Sequence, residues 1–466
     1  MKIIVIFSSL QISKILFIFF ALINQSFSTK NESIAIINFN SKYNHSSSDN
    51  LYFIFEHFRH GARATCEGKI VNNTDILNGK WEAPEELLNK GRIQHYIIGA
   101  KNKLRYKNFL NSEYDPREIK IYSTNYNRTI NSAQMQLLGF YHNMSYFNIS
   151  NKDIIGEEKI DPNLNSIIPP INLFESHKDG DNEAYDIFLK EKFACPLFRE
   201  NIFKNYEEIY SFEALNNIRN NFTEKYYNIL LTEFNLNDTK THKGMYNFCD
   251  AFITNYFDEG NRLNLNKLEK KYKNFNLTDI LNICYSYYKE YFFEIEGERH
   301  AEINWRLSMS KTFKRILNIM QDRINENQNY LNYSSPKFLL YSGHDDTLTQ
   351  MQMFLKACFN IEYEWIPYAS NQLFELRKYG DLFYVEIYYN DRLKLNITFK
   401  EFYDEITKKI ISDDEIFEKC YKYKFSNRLN IEAIWYSVIL VCLFIIFISI
   451  IIIFYYRRPK RINIFN

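Results

Sequence analysis

The chain has 466 residues, a formal net charge of +1 at pH 7 and an aromatic content of 17%. This length allows two or three domains. No basic stretch accompanies the near-neutral charge, which argues against nucleic acid as a partner.

The N-terminus has the features of a secretory signal peptide over residues 1–28. Lys2 precedes a mostly apolar run from Ile3 to Ile23, and Ser26 and Ser28 place small residues at the cleavage positions. Residues 29–50 are polar and rich in Ser and Asn, so they are predicted to form a flexible lead-in. The mature protein is therefore expected to enter the secretory pathway.

The first predicted strand runs over Leu51 to Phe55, where five β-favouring residues follow one another. It continues directly into Phe58-Arg59-His60-Gly61-Ala62-Arg63. Two guanidinium groups beside one imidazole, with a glycine that allows close backbone approach, suit a tetrahedral oxyanion. The motif predicts a phosphate-binding loop with a nucleophile.

Two later segments repeat this arrangement of a strand, polar residues and a helix. A strand over Lys120 to Ser123 precedes Arg128 and a helical pattern from Ile130 to Tyr141, and a strand over Lys337 to Tyr341 precedes His344, Asp345 and a helical pattern from Leu348 to Lys356. Between the first and second strands, Glu85 to Leu110 predicts two short helices or one helix interrupted near Gly91. His57, His95 and His300 are predicted to be structural.

Residues 145–332 differ in character, because strand-like runs are nearly absent. This predicts a helical insertion or cap, with helices over Tyr185 to Phe198, Glu213 to Phe234, Tyr246 to Tyr256, Leu277 to Phe293 and Trp305 to Ile324.

The C-terminal part is predicted to return to strands. Gln372 to Arg377 and Leu382 to Tyr389 predict a hairpin around Gly380-Asp381, followed by a strand from Arg392 to Thr398 and a helix from Phe399 to Ile411.

An uncharged apolar run over residues 433–456 is long enough to cross a bilayer. Four basic residues follow it within residues 457–466. The positive-inside rule makes this end a short cytoplasmic tail and places the upstream chain in the lumen or outside the cell.

The polar residues at the ends of these three strands could form one active site if the strands are parallel neighbours, since their side chains would then meet at one edge of the sheet. Arg59, Arg63, Arg128 and His344 would bind the phosphoryl group, and His60 would attack phosphorus to give a phosphohistidine. Asp345 would give a proton to the leaving oxygen and later help to activate water. No metal or cofactor is required.

The ordered trio Arg59-His60-Gly61-Ala62-Arg63, Ser123 to Thr129 and Ser342 to Thr347 resembles the histidine acid phosphatases of the branch with His-Asp in the second motif. The resemblance spans about Leu51 to Cys420. It implies an α/β fold with a phosphoglycerate-mutase-like mixed sheet flanked by helices, built from residues 51–144 and 333–425. A mostly helical cap over residues 145–332 is inserted, and one C-terminal transmembrane helix is added.

The chain departs from the family pattern at Thr65, where a proline is usual, and at Asn371, where relatives of this branch often carry a disulfide cysteine. Six cysteines precede the predicted membrane helix, and their pairing is open from the sequence alone. The resemblance suggests Cys195 with Cys420. Two hypotheses for the remaining four are Cys249 with Cys284, and Cys66 with Cys358.

The leading hypothesis is a single-pass, membrane-anchored acid phosphatase that acts on small phosphorylated substrates in a lysosome, an acidic vacuole or at the cell surface. The alternatives are a narrower phosphatase of lysophospholipids, inositol phosphates or sugar phosphates, and a catalytically silent binding ectodomain. The oligomeric state is open, with a homodimer as one option.

Overall fold

One mixed sheet joins strands from both flanks of the predicted insertion. The computed structural model describes residues 50–65, 84–141, 171–174, 195–234, 239–257, 265–298, 301–326, 335–422 and 435–450. The predicted signal peptide, residues 29–49, His300 and the tail over residues 457–466 lie outside these ranges. The described strands are β1 (Leu51–Arg59), β2 (Ile119–Thr124), β3 (Asn172–Phe174), β4 (Phe338–Gly343), β5 (Asn371–Tyr379), β6 (Leu382–Tyr389) and β7 (Arg392–Thr398).

The strand order in the sheet is β3-β2-β4-β1-β5-β6-β7. β1, β4, β2 and β3 are parallel to one another and form one part of the sheet. β5, β6 and β7 form an antiparallel meander whose first strand pairs with β1. The three strands predicted to carry the site are therefore parallel neighbours, as expected. The predicted hairpin around Gly380 is also confirmed.

The register brings the carboxyl ends of these three strands to one level. Arg59 pairs with Gly343 across β1 and β4, and Ser123 pairs with Ser342 across β2 and β4. The predicted end of the first strand at Phe55 is wrong, because β1 continues to Arg59 through its pairing with β4. The basic motif thus begins inside the sheet, which fixes the backbone of Arg59.

The described helices are α1 (Asn89–Arg105), α2 (Asn127–Phe140), α3 (Pro196–Glu207), α4 (Glu213–Lys225), α5 (Tyr227–Glu233), α6 (His242–Tyr256), α7 (Leu265–Lys271), α8 (Leu277–Tyr291), α9 (Ala301–Asn325), α10 (Asp345–Phe359), α11 (Phe399–Lys409) and α12 (Asp413–Phe417). α1 is a single helix that begins two residues before Gly91, so no interruption occurs. The predicted helix from Glu213 to Phe234 is divided at Tyr226, whose backbone leaves the helical region with φ −107° and ψ 17°.

Both faces of β1 are buried, which explains its unbroken apolar run. Phe53 and Phe55 pack into one core cluster with residues of α9 and α10, whereas Ile54 and Phe58 pack into a second cluster with residues of α2 and of the segment that follows α1. On the first side, Phe313 of α9 stacks on Phe354 of α10 with ring centroids 4.4 Å apart. Helices therefore cover the sheet on both sides.

The described part of the predicted insertion is largely helical, and β3 is the strand that the sequence did not predict. β3 pairs with the edge of β2. The division into an α/β domain and a separate cap over residues 145–332 stays a prediction.

Two of the three disulfide pairs are present. Cys195 is bonded to Cys420, and Cys249 is bonded to Cys284. Cys358 has no disulfide partner within the described ranges, and its hypothesised partner Cys66 lies outside them.

Residues 435–450 are helical, and most of their apolar side chains are exposed. The rest of the predicted membrane span, residues 433, 434 and 451–456, lies outside the described ranges. Within those ranges, no helix combines the length and the apolarity needed to cross a membrane.

Candidate active site

His60 follows the last residue of β1 and is held by backbone bonds from two neighbouring segments. Its N–H donates to the Gly343 carbonyl at 3.0 Å, and its carbonyl accepts from the Ala369 N–H at 3.1 Å. The imidazole Nδ1 lies 2.8 Å from the Gly61 carbonyl oxygen. Because a carbonyl only accepts, Nδ1 carries the proton and Nε2 carries the lone pair. The ring is thus fixed in the tautomer that a nucleophile needs.

The environment keeps this imidazole neutral. Burial is the largest influence that lowers the pKa of His60 well below its ordinary value of 6.5, followed by the positive charge of Arg128 and then that of Arg59. A neutral ring retains its lone pair in acidic solution, where an exposed histidine would be protonated.

Arg59 and Asp345 form a buried ion pair, with 2.7 Å between Nη2 and Oδ2. Arg59 Nη1 also donates to the Ile366 carbonyl at 2.6 Å, and its guanidinium lies 4.3 Å from the centroid of the Tyr368 ring. Asp345 is the first residue of α10, where the helix dipole favours a negative charge. The neighbouring Asp346 accepts from the Thr347 N–H at 2.8 Å, whereas the N-cap residue of α10 is His344.

Arg63 is held by a carboxylate that the sequence did not indicate. Its Nη2 donates to Asp250 Oδ1 at 2.8 Å, and both side chains are 7% exposed. Asp250 lies on α6, next to Cys249, whose disulfide joins α6 to α8. The site edge is thus tied to the helices that follow β3 in the chain.

Arg128, in the first turn of α2, has the same kind of partner. Its Nη1 donates to Glu85 Oε2 at 2.7 Å, and its guanidinium lies 4.5 Å from the centroid of the Tyr126 ring. Among the described residues, the buried Nε atoms of Arg59 and Arg128 have no hydrogen-bond partner. These two donors remain for an anion.

His344 faces His60, with their ring centroids 5.6 Å apart. Its Nε2 lies 3.1 Å from Thr124 Oγ1, which lies 2.6 Å from Thr129 Oγ1. Thr129 donates to a backbone carbonyl, so Thr124 donates to Thr129 and accepts from His344. Nε2 of His344 therefore carries a proton, which it donates to Thr124.

The structure brings the six predicted site residues to one edge of the sheet: Arg59, His60, Arg63, Arg128, His344 and Asp345. It adds Asp250, Glu85, Thr124 and Tyr368, which sequence reasoning did not assign to the site. Thr124 lies inside the Ser123 to Thr129 motif noted above and could have been found there. Asp250 and Glu85 carry no local signal, because only the fold brings them to the arginines. His57 is buried with Nε2 3.3 Å from Thr347 Oγ1, consistent with a structural role.

Comparisons with known proteins identify the family to which the chain is similar. Residues 17–390 match the family model described as histidine phosphatase superfamily (branch 2). The human lysosomal acid phosphatase is 23% identical over 356 residues, covering 73% of this chain and 71% of that protein. The lysosomal acid phosphatase of Xenopus laevis is 26% identical over 339 residues, covering 71% and 67%. Among solved structures, the Klebsiella sp. ASR1 phytase superposes with a TM-score of 0.52 at 11% identity, covering 78% of this chain and 97% of that one, so the two share a fold.

Proposed function

This chain belongs to the histidine phosphatase superfamily (branch 2), and on that premise we propose that His60 is the nucleophile of its phosphatase site. The protein is a phosphatase that hydrolyses phosphate monoesters. The observation that carries the assignment is the hydrogen bond from His60 Nδ1 to the Gly61 carbonyl, which leaves Nε2 with the lone pair that reacts.

In the first step we assign, the phosphoryl group is bound by Arg59, Arg63 and Arg128. The negative oxygens take guanidinium donors, and the buried Nε atoms of Arg59 and Arg128 supply two of them. His60 Nε2 then attacks phosphorus as the bond to the leaving oxygen breaks. Asp345 gives its proton to that oxygen, so the alcohol leaves neutral.

In the second step, water attacks the phosphorus of the phosphohistidine and the P–N bond breaks. Asp345, now a carboxylate, takes the proton of the water, and inorganic phosphate and free His60 result. The pair between Arg59 and Asp345 sets the order of events. A bound phosphoryl group competes for Arg59, and this frees the Asp345 carboxyl to act on the leaving oxygen.

We further propose an acidic, lumenal or extracellular location on a single membrane anchor over residues 433–456. The two disulfides suit an oxidising compartment, and the exposed apolar helix at residues 435–450 suits a bilayer. The similarity to lysosomal acid phosphatases supports a lysosome or another part of the secretory pathway. The helical segments between β3 and β4 are the proposed cap that selects among small phosphorylated substrates.

The test is turnover of p-nitrophenyl phosphate by the purified protein and by His60→Ala. We expect the variant to lose at least about 10³-fold in kcat, because nucleophile removal leaves only binding and charge stabilisation. His242→Asn is the matched control, since His242 is also a buried histidine but bonds Tyr287 and Asn216 on the helical side. Covalent phosphate should be trapped on the protein by alkaline quenching, and normal turnover by His60→Ala would exclude this nucleophile.

A further inference from the structure

A largely buried polar cluster lies directly behind the nucleophile loop and takes no part in the reaction proposed above. At its centre, Glu56 of β1 is 0% exposed and accepts three amide hydrogen bonds. The donors are Asn371 of β5 at 2.7 Å, Asn102 of α1 at 2.8 Å and Gln136 of α2 at 2.9 Å. Asn371 thus uses the position of the expected family cysteine to bind this carboxyl group.

Gln136 connects Glu56 to the backbone of the loop. Its Oε1 lies 3.2 Å from His95 Nδ1, and His95 Nε2 lies 3.2 Å from the Arg59 carbonyl oxygen. That carbonyl belongs to the peptide bond whose N–H, on His60, donates to Gly343. His95 therefore holds one end of the Arg59–His60 peptide and β4 holds the other.

The hydrogen bonds that link Glu56, Gln136, His95 and the Arg59 carbonyl can all form only if this group of residues carries one extra proton. In the orientation above, both ring nitrogens of His95 face carbonyl oxygens, which only accept, so both must be protonated. Rotating the Gln136 amide by half a turn gives an alternative of the same shape, since the amide oxygen and nitrogen simply exchange places. Its NH2 then donates to His95 Nδ1 and its oxygen faces Glu56, where a protonated carboxyl must donate. Both arrangements contain the same number of protons.

Burial favours the second arrangement. Desolvation lowers the pKa of His95 to about 4 and raises the pKa of Glu56 to about 7. Other charged or titratable groups also face Glu56: Lys101 and Arg105 of α1, Tyr106 directly after it, and Asp391 between β6 and β7. Asp391 favours the protonated form and Arg105 opposes it. His95 faces the Phe58 ring at 4.6 Å.

We propose that Glu56, Gln136 and His95 form a positioning relay, in which one shared proton completes the hydrogen bonds that fix the Arg59 carbonyl and hence the His60 nucleophile. When this proton leaves, the Glu56 carboxylate keeps the Gln136 NH2 group, so Gln136 Oε1 faces His95. The neutral ring has one N–H, which serves either Gln136 or the Arg59 carbonyl. One buried hydrogen bond is lost in either case, and the loop loses part of its support.

The relay rests on the proposed role of His60, and its test compares kcat of Glu56→Gln with wild type across pH. Glutamine donates to Gln136 as the protonated glutamate does and cannot lose that proton. Its nitrogen no longer accepts from Asn102, a loss that is the same at every pH and so does not change the ratio with pH. Titrations that both proteins share, including that of the proton donor, cancel in the ratio of the two kcat values. We expect the ratio of variant to wild type to rise about tenfold between about pH 5 and about pH 8, the change produced by one lost buried hydrogen bond.

Glu118→Gln is the matched control, because Glu118 is also a fully buried glutamate but pairs with Lys337 at 3.0 Å. Its ratio to wild type should not change with pH. A second variant, Gln136→Met, removes the bridge with little change in shape and should lower kcat about tenfold at every pH below 7. A flat ratio for Glu56→Gln, or full kcat for Gln136→Met, overturns the relay.

An infrared difference spectrum between wild type and Glu56→Gln separates the relay from the reaction, since it needs no turnover. At acidic pH the wild type should show the carbonyl stretch of a protonated, buried carboxyl that the variant lacks. The band should disappear as pH rises through about 7. Absence of the band at acidic pH overturns the relay even if His60 is the nucleophile. If the band is present but His60→Ala turns over normally, the shared proton stands and only the nucleophile assignment is wrong.

Discussion

Charge and burial act together on His60, and Arg128 is the largest charged contribution to its lowered pKa. The three arginines of the site each bind a different carboxylate, from α10, α6 and Glu85. These carboxylates orient the guanidinium groups before substrate arrives. They also limit the repulsion between three cations that converge on one loop.

Arg128→Gln should reduce kcat/KM by about 10²- to 10³-fold, because one phosphoryl donor is lost. It should also move the acid limb of the pH profile to higher pH. The sign follows from His60: removing a nearby positive charge raises its pKa, so the ring becomes protonated and unreactive earlier as pH falls.

The measurement is kcat/KM against pH for the variant and for Arg117→Gln. Arg117 forms an ion pair with Asp115 and its side chain is 48% exposed, so its loss should leave both the rate and the limb unchanged. If the acid limb of the Arg128→Gln profile lies at the same pH as that of wild type, Arg128 does not influence the pKa of His60.

At the scale of elements, two glycines allow α1 to pack closely against the nucleophile loop. A Cβ at Gly91 would lie 2.2 Å from the Ala62 carbonyl oxygen, and a Cβ at Gly61 would lie 2.4 Å from the Gly91 carbonyl oxygen. Backbone thus touches backbone, with no flexible side chain to yield. The sequence predicted a helix interruption near Gly91 because glycine disfavours helices. In the structure this glycine lies within the helix and allows close packing against the loop.

Gly91→Ala should therefore lower the free energy of unfolding by about 1–3 kcal/mol, the usual cost of overpacking. It should also lower kcat, because α1 carries His95 and supports the loop. Thermal unfolding and turnover measured on the same samples test this.

Gly380→Ala provides the control for a glycine substitution in this fold. Gly380 has φ +59°, and nothing lies within 4 Å of the position that a Cβ would take there. Alanine at this position should therefore cost about 1–2 kcal/mol through backbone strain alone. Its kcat should equal that of wild type. Equal kcat and stability for Gly91→Ala and wild type would contradict the close-packing explanation.

At the scale of the whole molecule, the sequence predicted where strands and helices occur better than it predicted which strands lie next to each other in the sheet. The strands around Arg59, Arg128 and His344 were recognisable because an apolar run ends in polar residues at each. Their adjacency depends on the insertion of β4 between β1 and β2, which no local pattern specifies.

The partners of the arginines were beyond sequence reasoning for the same reason. Asp250 lies far along the chain from Arg63, and only tertiary packing of α6 brings them within 2.8 Å. The extension of β1 to Arg59 likewise depends on its pairing with β4. Local propensity cannot report such pairing, since it is set by residues distant in sequence.

The disulfide between Cys195 and Cys420 joins the start of α3 to the segment after α12. Replacing both cysteines with alanine should destabilise the protein by about 2–5 kcal/mol, because the unfolded chain regains a long loop. The disulfide is not among the contacts of the proposed site residues described above, so kcat at low temperature should be unchanged.

Thermal unfolding of the double variant, with and without reductant, measures this effect. Wild type treated with reductant should approach the reduced variant, and within the described residues the variant itself should respond through Cys249 and Cys284. An unchanged unfolding temperature for the double variant would show that the bond contributes no net stability.

The position of β4 between β1 and β2 also has a consequence for synthesis of the protein. The ribosome releases the segments that carry Arg59, His60 and Arg128 early, but β1 and β2 have no shared edge until residues 338–343 arrive. The strand that joins them also delivers His344 and Asp345. A nascent chain therefore holds a nucleophile without its acid or its sheet, and the phosphatase becomes competent only after residues 338–345 have been made.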